Sequence, residues 1–116
     1  MMMKNTLMTL AVPKHYEKNQ RIMRSQVLHE AAMLGQGERI RTLCKGDVDV
    51  DARDAAGRTP LIRAAGLGHT EAVRALLDLH ANMNAIDATG RNALKAAMGN
   101  GVWEIVALLL EHGAEV

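Results

Sequence analysis

A 33-residue repeat is the feature that most constrains what this 116-residue chain can fold into. Many residues of one segment recur unchanged 33 positions later in the chain. The recurring pairs include Gly57 and Gly90, Leu61 and Leu94, Ala64 and Ala97, Gly68 and Gly101, Glu71 and Glu104, Val73 and Val106, Leu76 and Leu109, Leu77 and Leu110, and Ala81 and Ala114. A fixed period of about 20 to 50 residues is typical of stacked structural repeats. We therefore expect an array of similar units rather than a domain built around one centre.

The apolar residues of the chain suit closely stacked helices. Hydrophobic residues make up 48% of the sequence, but there is no Phe, one Trp and one Tyr, so Ala, Leu, Val, Ile and Met must fill the core. Paired alanines in each copy allow helices to approach closely; they are Ala31–Ala32, Ala64–Ala65 and Ala96–Ala97. One short helix pair cannot enclose its own apolar face, so stability is expected to come from contacts between neighbouring repeats.

The first 24 residues form the most basic part of the chain, with five lysines and arginines against one glutamate. Pro13 interrupts a long helix here, whereas residues 15–26 favour a short helix with Ile22 and Met23 turned inward. We expect residues 1–24 to be a basic, partly ordered N-terminal arm or cap. Its charge either attracts an acidic partner or keeps the arm solvated.

Turn and cap residues divide residues 25–116 into three helix pairs, with approximate repeats 25–53, 54–86 and 87–116. Ser25, Thr59 and Thr70 are predicted helix caps, and Pro60 suits a first helical turn because its missing N–H costs nothing there. The third pair is expected from Asn92 to about Glu111. The pattern predicts an all-α fold, a helix-turn-helix solenoid with projecting loops or β-hairpin tips.

These residues resemble the ankyrin repeat, whose signature is Asp-x-x-Gly-x-Thr-Pro-Leu-His-x-Ala-Ala-x-x-Gly-His-x-x-x-Val-x-x-Leu-Leu-x-x-Gly-Ala. The second copy carries it at Asp54, Gly57, Thr59, Pro60, Leu61, Ala64, Ala65, Gly68, His69, Val73, Leu76, Leu77 and Ala81. The third carries it at Asp87, Gly90, Leu94, Ala97, Gly101, Val106, Leu109, Leu110, Gly113 and Ala114. The first keeps Leu28, His29, Ala32, Gly35, Ile40 and Leu43. The resemblance implies an ankyrin-type solenoid of about three repeats over residues 25–116, the first degenerate and the last incomplete.

Three departures from the signature predict a modest stability. Ile62 replaces the histidine of the second copy, and Asn92 begins a third copy that lacks the Thr-Pro-Leu-His sequence. His80 stands where the signature has a turn glycine, so we expect a non-glycine residue at positive φ.

The resemblance also implies a function, namely non-enzymatic binding of a partner protein through the loop tips and the concave face of the inner helices. Mapped by motif, the implied partner-binding residues are Met33, Leu34, Ala55, Ala56, Arg58, Gly66, Leu67, Ala88, Thr89, Arg91, Gly99 and Asn100. Arg58 and Arg91 lie one period apart and are expected to project from successive tips. The alternative is that the chain is the targeting part of a larger protein, such as a host-directed bacterial effector or an enzyme whose catalytic domain lies elsewhere.

The sequence offers no coherent catalytic, cofactor-binding or metal site. His29 and His69 match signature positions and are expected to be structural, and neither His80 nor His112 has a nearby Cys or His partner at ligand spacing. Cys44 aligns with Leu77 and is expected to be an inert, buried thiol. The glycine pair at Gly66 and Gly68 lacks the third glycine and the strand of a dinucleotide loop.

Two further ligand classes are disfavoured. Asp47, Asp49 and Asp51 alternate in a loop but lack the glycine and terminal glutamate of an EF-hand. The basic arm has one aromatic residue, Tyr16, which makes no stacking platform for nucleic acid.

No segment has the run of about 20 apolar residues that a membrane span needs. The single cysteine fits a reducing compartment, so a cytoplasmic location is expected, with secretion into a host cell as the alternative.

The last helix is more apolar than its counterpart in the second copy. Trp103 stands at the position of Thr70, and Ala107 at the position of Arg74. Terminal repeats normally present a polar outer surface, so this edge has three explanations: further repeats follow it, it self-associates, or a partner covers it. We favour the first two equally.

Overall fold

The structure is a computed structural model that describes residues 16–115, with side chains from residue 20 onward. Six helices follow one another along this part of the chain. They are α1 (Tyr16–Met33), α2 (Gly37–Leu43), α3 (Pro60–Leu67), α4 (Thr70–Asp78), α5 (Ala93–Gly99) and α6 (Trp103–Glu111). Residues 16–115 contain no strand, so the loop tips between the helix pairs are hydrogen-bonded turns. The all-α solenoid predicted from the sequence is confirmed.

The helices stack in two layers. The inner helices α1, α3 and α5 pack against one another in chain order, and the outer helices α2, α4 and α6 form the second layer behind them. Each outer helix also packs on the inner helix that precedes it. Leu76 and Leu109, one period apart, are both fully buried in the shared core, as stacking of equivalent repeats requires.

Local sequence fixes where the helices of the second and third repeats begin and end. Thr59 Oγ1 accepts a hydrogen bond from Ile62 N–H at 3.2 Å, and Pro60 occupies the first turn of α3. Gly68 ends α3 in the left-handed region, with φ of 80°, where a Cβ would be strained. Asn92 caps α5 by accepting from Lys95 N–H at 2.8 Å, so the third repeat keeps its cap without a threonine.

The first helix differs from the sequence prediction. Because α1 begins at Tyr16, Ser25 lies inside the helix and does not cap it. Ile22 and Met23, predicted to turn inward, are 49% and 63% exposed. The domain boundary predicted after residue 24 stays a prediction, and residues 1–15 lie outside the described part of the chain.

Of three other sequence predictions, one is confirmed, one is wrong and one holds only in part. His80 adopts φ of 63°, which confirms the expected positive φ at the position of the turn glycine. Thr70 is the first residue of α4 rather than its cap, since His69 holds the cap position without a side-chain hydrogen bond. Cys44 is only partly buried, and burial raises the pKa of its thiol, which disfavours the reactive thiolate.

Candidate partner-binding surface

The tip of the second repeat is a turn organised by Asp54. Its Oδ1 accepts hydrogen bonds from Ala56 N–H at 2.9 Å and from Arg58 N–H at 2.8 Å. Its Oδ2 lies 2.9 Å from Arg58 Nε and 3.4 Å from Arg63 Nη1, so one carboxylate contacts two guanidinium groups. Gly57 supplies the positive φ that the turn needs. The side chain of Arg58 is therefore positioned by the turn that carries it.

The tip of the third repeat has the same construction around Asp87. Its Oδ1 accepts from Thr89 N–H at 2.8 Å, from the Thr89 hydroxyl at 2.6 Å and from Arg91 N–H at 3.0 Å. Arg91 Nε lies 3.7 Å from Asp87 Oδ2, a looser ion pair than its counterpart at Arg58. The two tips also contact each other, because Ala88 N–H donates to Ala56 O at 3.0 Å.

Both tip aspartates are ionised at neutral pH. The hydroxyl of Thr89 and the N–H of Arg91 lower the pKa of Asp87 to about 2. Burial raises the pKa of Asp54, but the backbone and side-chain hydrogen bonds from Arg58 outweigh it and leave that pKa below its ordinary value. The negative charges that orient the tip arginines are thus present throughout the neutral range.

Six of the twelve residues implied by the family resemblance line one shallow groove of about 210 Å³ between the inner helices and the tips. These six residues are Met33, Arg58, Gly66, Leu67, Arg91 and Asn100. Asn100 Nδ2 donates to Gly66 O at 2.7 Å and so joins the third repeat to the second along the groove. A Cβ on Gly66 would lie 3.4 Å from that amide nitrogen, an ordinary contact distance.

Sequence reasoning missed three residues that also line this groove, namely Ile62, Arg63 and Ala96. Arg63 adds a third guanidinium group, with its side chain 18% exposed. Its position four residues before Leu67 places the two on one face of α3, which is the sequence signal that would have identified it. The three groove arginines and the two tip aspartates that they contact, Asp54 and Asp87, together carry a net positive charge.

The other six implied residues lie outside the groove. Leu34 is 57% exposed in the turn after α1, and Gly99 is exposed at the end of α5. Ala55 lines a different and larger groove of about 650 Å³ between α1 and the loop that leads to Asp54. The remaining three are exposed at the tips; they are Ala56, Ala88 and Thr89.

His29 borders the larger groove but is a structural residue. It is 6% exposed, and its Nε2 lies 2.6 Å from Ala52 O, which ties α1 to the next loop. Its Nδ1 is buried without a hydrogen-bond partner among the described residues. Burial lowers the pKa of His29, with the hydrogen bond to Ala52 O acting in the opposite direction. The ring is therefore neutral at pH 7.

Among residues 16–115, no group of three or more His, Cys, Asp or Glu side chains is placed to hold a metal ion. None of the helices in the same range is long and apolar enough to cross a membrane.

Comparison with known proteins agrees with this architecture. A family model described as ankyrin repeats, in three copies, matches residues 28–116. A search of curated proteins finds no match to the chain. The family model covers well over half of the sequence, and its three copies agree in number with the three stacked helix pairs. This chain therefore belongs to the ankyrin repeat family.

Proposed function

We propose that the chain is a non-enzymatic recognition module that binds a partner protein through its loop tips and the concave face of its inner helices. Ankyrin repeats are generally protein–protein interaction modules. The observation that supports this surface in particular is the convergence of Arg58, Arg91 and Leu67 on one groove. We place the module in the cytoplasm, because its single cysteine fits a reducing compartment.

The size of the groove favours a protein partner over a small molecule. Its volume of about 210 Å³ is below the roughly 300 to 1,000 Å³ of typical small-molecule sites. It accommodates one or two side chains of a larger surface that also rests on the tips. The alanines at the tips offer no large aromatic anchor, so we expect a contact of modest affinity.

The chemistry of the groove favours an amphipathic partner segment with acidic residues. Met33 and Leu67 present apolar surface and are 40% and 55% exposed. The side chains of Arg58 and Arg91 are 40% and 52% exposed, so carboxylates of a partner have access to both guanidinium groups. Such a segment pairs its apolar side with the leucine and its acidic side with the arginines. The same surface would serve if the chain is the targeting part of a larger protein.

The test compares the proteins captured by matched variants of the purified chain. Arg58→Gln with Arg91→Gln removes two positive charges from the groove without placing a second negative charge beside Asp54 or Asp87. The control, Arg39→Gln with Arg74→Gln, removes the same charge from exposed positions on the outer helices α2 and α4.

We expect a partner that is retained by wild type and by the control but is lost from the groove variant. Its affinity, measured by titration with the purified partner, should also fall when Leu67→Asp is introduced. Circular dichroism must show that each variant is folded. Equal recovery of every protein by the groove variant and wild type would refute the proposal that this groove binds the partner. Turnover of a small molecule by the isolated chain would refute the non-enzymatic assignment.

A further inference from the structure

We infer that a second copy of this chain docks end to end on the first, with the exposed edge of α6 against the exposed edge of α1 of the next molecule. This contact does not involve the concave groove. It is carried by four observations: uncovered repeat positions, an apolar stripe on α6, a receiving groove on α1, and opposite charges at the two ends.

The first observation is that glycines of the first two repeats are covered by the repeat that follows, whereas those of the third are not. A Cβ on Gly35 would lie 2.7 Å from the ring of His69, and one on Gly68 would lie 3.5 Å from the side chain of Val102. At the equivalent Gly101, the nearest atom belongs to Trp103 of the same repeat, at 4.0 Å.

The tips repeat this contrast. A Cβ on Gly57 would lie 3.0 Å from Ala88 N, but the equivalent Gly90 has nothing within 4 Å. The third repeat thus keeps the residues that make room for a neighbour, on a face where the described residues supply none.

The second observation is an apolar stripe on α6 that faces outward. Trp103 and Leu110 are 65% and 42% exposed, and Ala107 lies between them at helical spacing and is also exposed. Leu77, the equivalent of Leu110 in the second repeat, is only 8% exposed, and the third repeat stacks on the second. The difference in exposure between Leu110 and Leu77 indicates how much of the Leu110 side chain a stacked neighbour would bury.

The third observation is a receiving surface at the other end of the stack. Gln20, Met23, Arg24 and Val27 lie at helical spacing on α1 and line a groove of about 260 Å³. Met23 is 63% exposed there, although α1 packs through Leu28, Ala31 and Ala32 onto the core. The α1 face therefore combines apolar surface at Met23 and Val27 with polar groups at Gln20 and Arg24.

The fourth observation decides how the copies are oriented. Glu104 and Glu111 flank the stripe on α6, are exposed, and form no ion pair with another described residue. Arg24 lies beside Met23 on α1, and its two hydrogen bonds, to Asp47 O and Gln20 Oε1, are both long at 3.4 Å. A twofold contact between two α6 edges would bring glutamates together, whereas an α6 edge against α1 pairs glutamate with arginine. The contact is therefore heterologous, and repetition of a heterologous contact produces a ring or an open chain that contains more than two molecules.

The experiment uses the full chain, a variant of each end, and their mixture. Sedimentation equilibrium of wild type across a wide range of concentration should give a mass that rises from the 12.6 kDa monomer and passes beyond the dimer. Leu110→Glu alters only the α6 edge, and Met23→Glu alters only the α1 edge. Both residues are exposed, so both variants should keep the monomer fold by circular dichroism. Each should weaken self-association by at least about tenfold.

The mixture of the two variants gives the sharpest outcome. Each variant retains one functional edge, and the retained edges are complementary, so an equimolar mixture should form a complex of two chains and stop there. Self-association should also weaken as salt concentration rises, because ion pairs at an exposed contact are screened. Three results would overturn the inference: a wild type that stays monomeric at every concentration, a wild type that stops at the dimer, or a mixture that does not form the two-chain complex.

Discussion

His80 is a non-glycine residue in a backbone conformation that favours glycine. It follows α4 and adopts φ of 63°, whereas the equivalent residue of the third repeat is Gly113, with φ of 96°. Its N–H donates to Leu77 O and closes the end of the helix, so the left-handed conformation is held by the turn itself. Replacement by glycine, His80→Gly, should therefore stabilise the fold.

The magnitude follows from two opposing effects. A non-glycine residue in the left-handed region costs about 1 to 2 kcal/mol, and glycine removes that cost. Glycine also gives the unfolded chain more conformations, which costs about 0.4 to 1 kcal/mol of stability. The exposed imidazole of His80 makes no hydrogen bond to another described residue, so little else is lost. We expect a net gain of about 0.5 to 1 kcal/mol in the free energy of unfolding.

Urea denaturation measured by circular dichroism would test this value. His80→Ala is the matched control, because it removes the imidazole but keeps a Cβ in the strained conformation, and it should give no comparable gain. The reverse substitution Gly113→His should destabilise the third repeat. If His80→Gly proves no more stable than His80→Ala, the strain argument is wrong.

Three further predictions concern the stack, a cap and pH. Leu76→Ala should cost about 3 kcal/mol because the side chain is fully buried, whereas Leu110→Ala at the exposed edge should cost less than about 1 kcal/mol when urea denaturation is measured at low concentration. Thr59→Ala should cost about 1 to 2 kcal/mol in the same assay, because it leaves the N–H of Ile62 without its acceptor in a buried position. The lowered pKa of His29 means that the unfolded chain takes up a proton first, so stability should fall as pH falls below 6.5, and a thermal melt series should show a smaller fall in His29→Gln.

Most of the fold could be predicted because its signals are local. Thr59, Pro60 and Gly68 fix the ends of α3 through contacts within a few residues, and these are readable along the chain. The extent of α1 could not be read in this way. Ser25 is a predicted cap because serine favours that position, but no proline or glycine interrupts residues 16–33, so the helix continues through it.

The composition of the groove could be predicted only in part. Arg58 and Arg91 follow from the period, since equivalent residues of equivalent tips must face the same side. Arg63 could be assigned to the same face of α3 as Leu67 from its spacing, but the contact of its guanidinium group with Asp54, nine positions earlier, could not be read from the sequence. That contact depends on the folded geometry of the tip and has no counterpart in the third repeat, where Ala96 holds the equivalent position.

This difference between the repeats also separates the roles of the two tip arginines. The Nε of Arg58 is 2.9 Å from a carboxylate that also contacts Arg63, and the backbone N–H of Arg58 bonds to the same group. The side chain of Arg58 is thus largely ordered by folding. Binding of a partner to it therefore costs little further side-chain entropy at Arg58. Arg91 is 3.7 Å from its carboxylate and is more exposed, so its guanidinium group can turn toward a partner without breaking a close ion pair. In the proposed function, the second repeat would therefore contribute a fixed contact point and the third an adjustable one, both in the groove offered to an acidic segment.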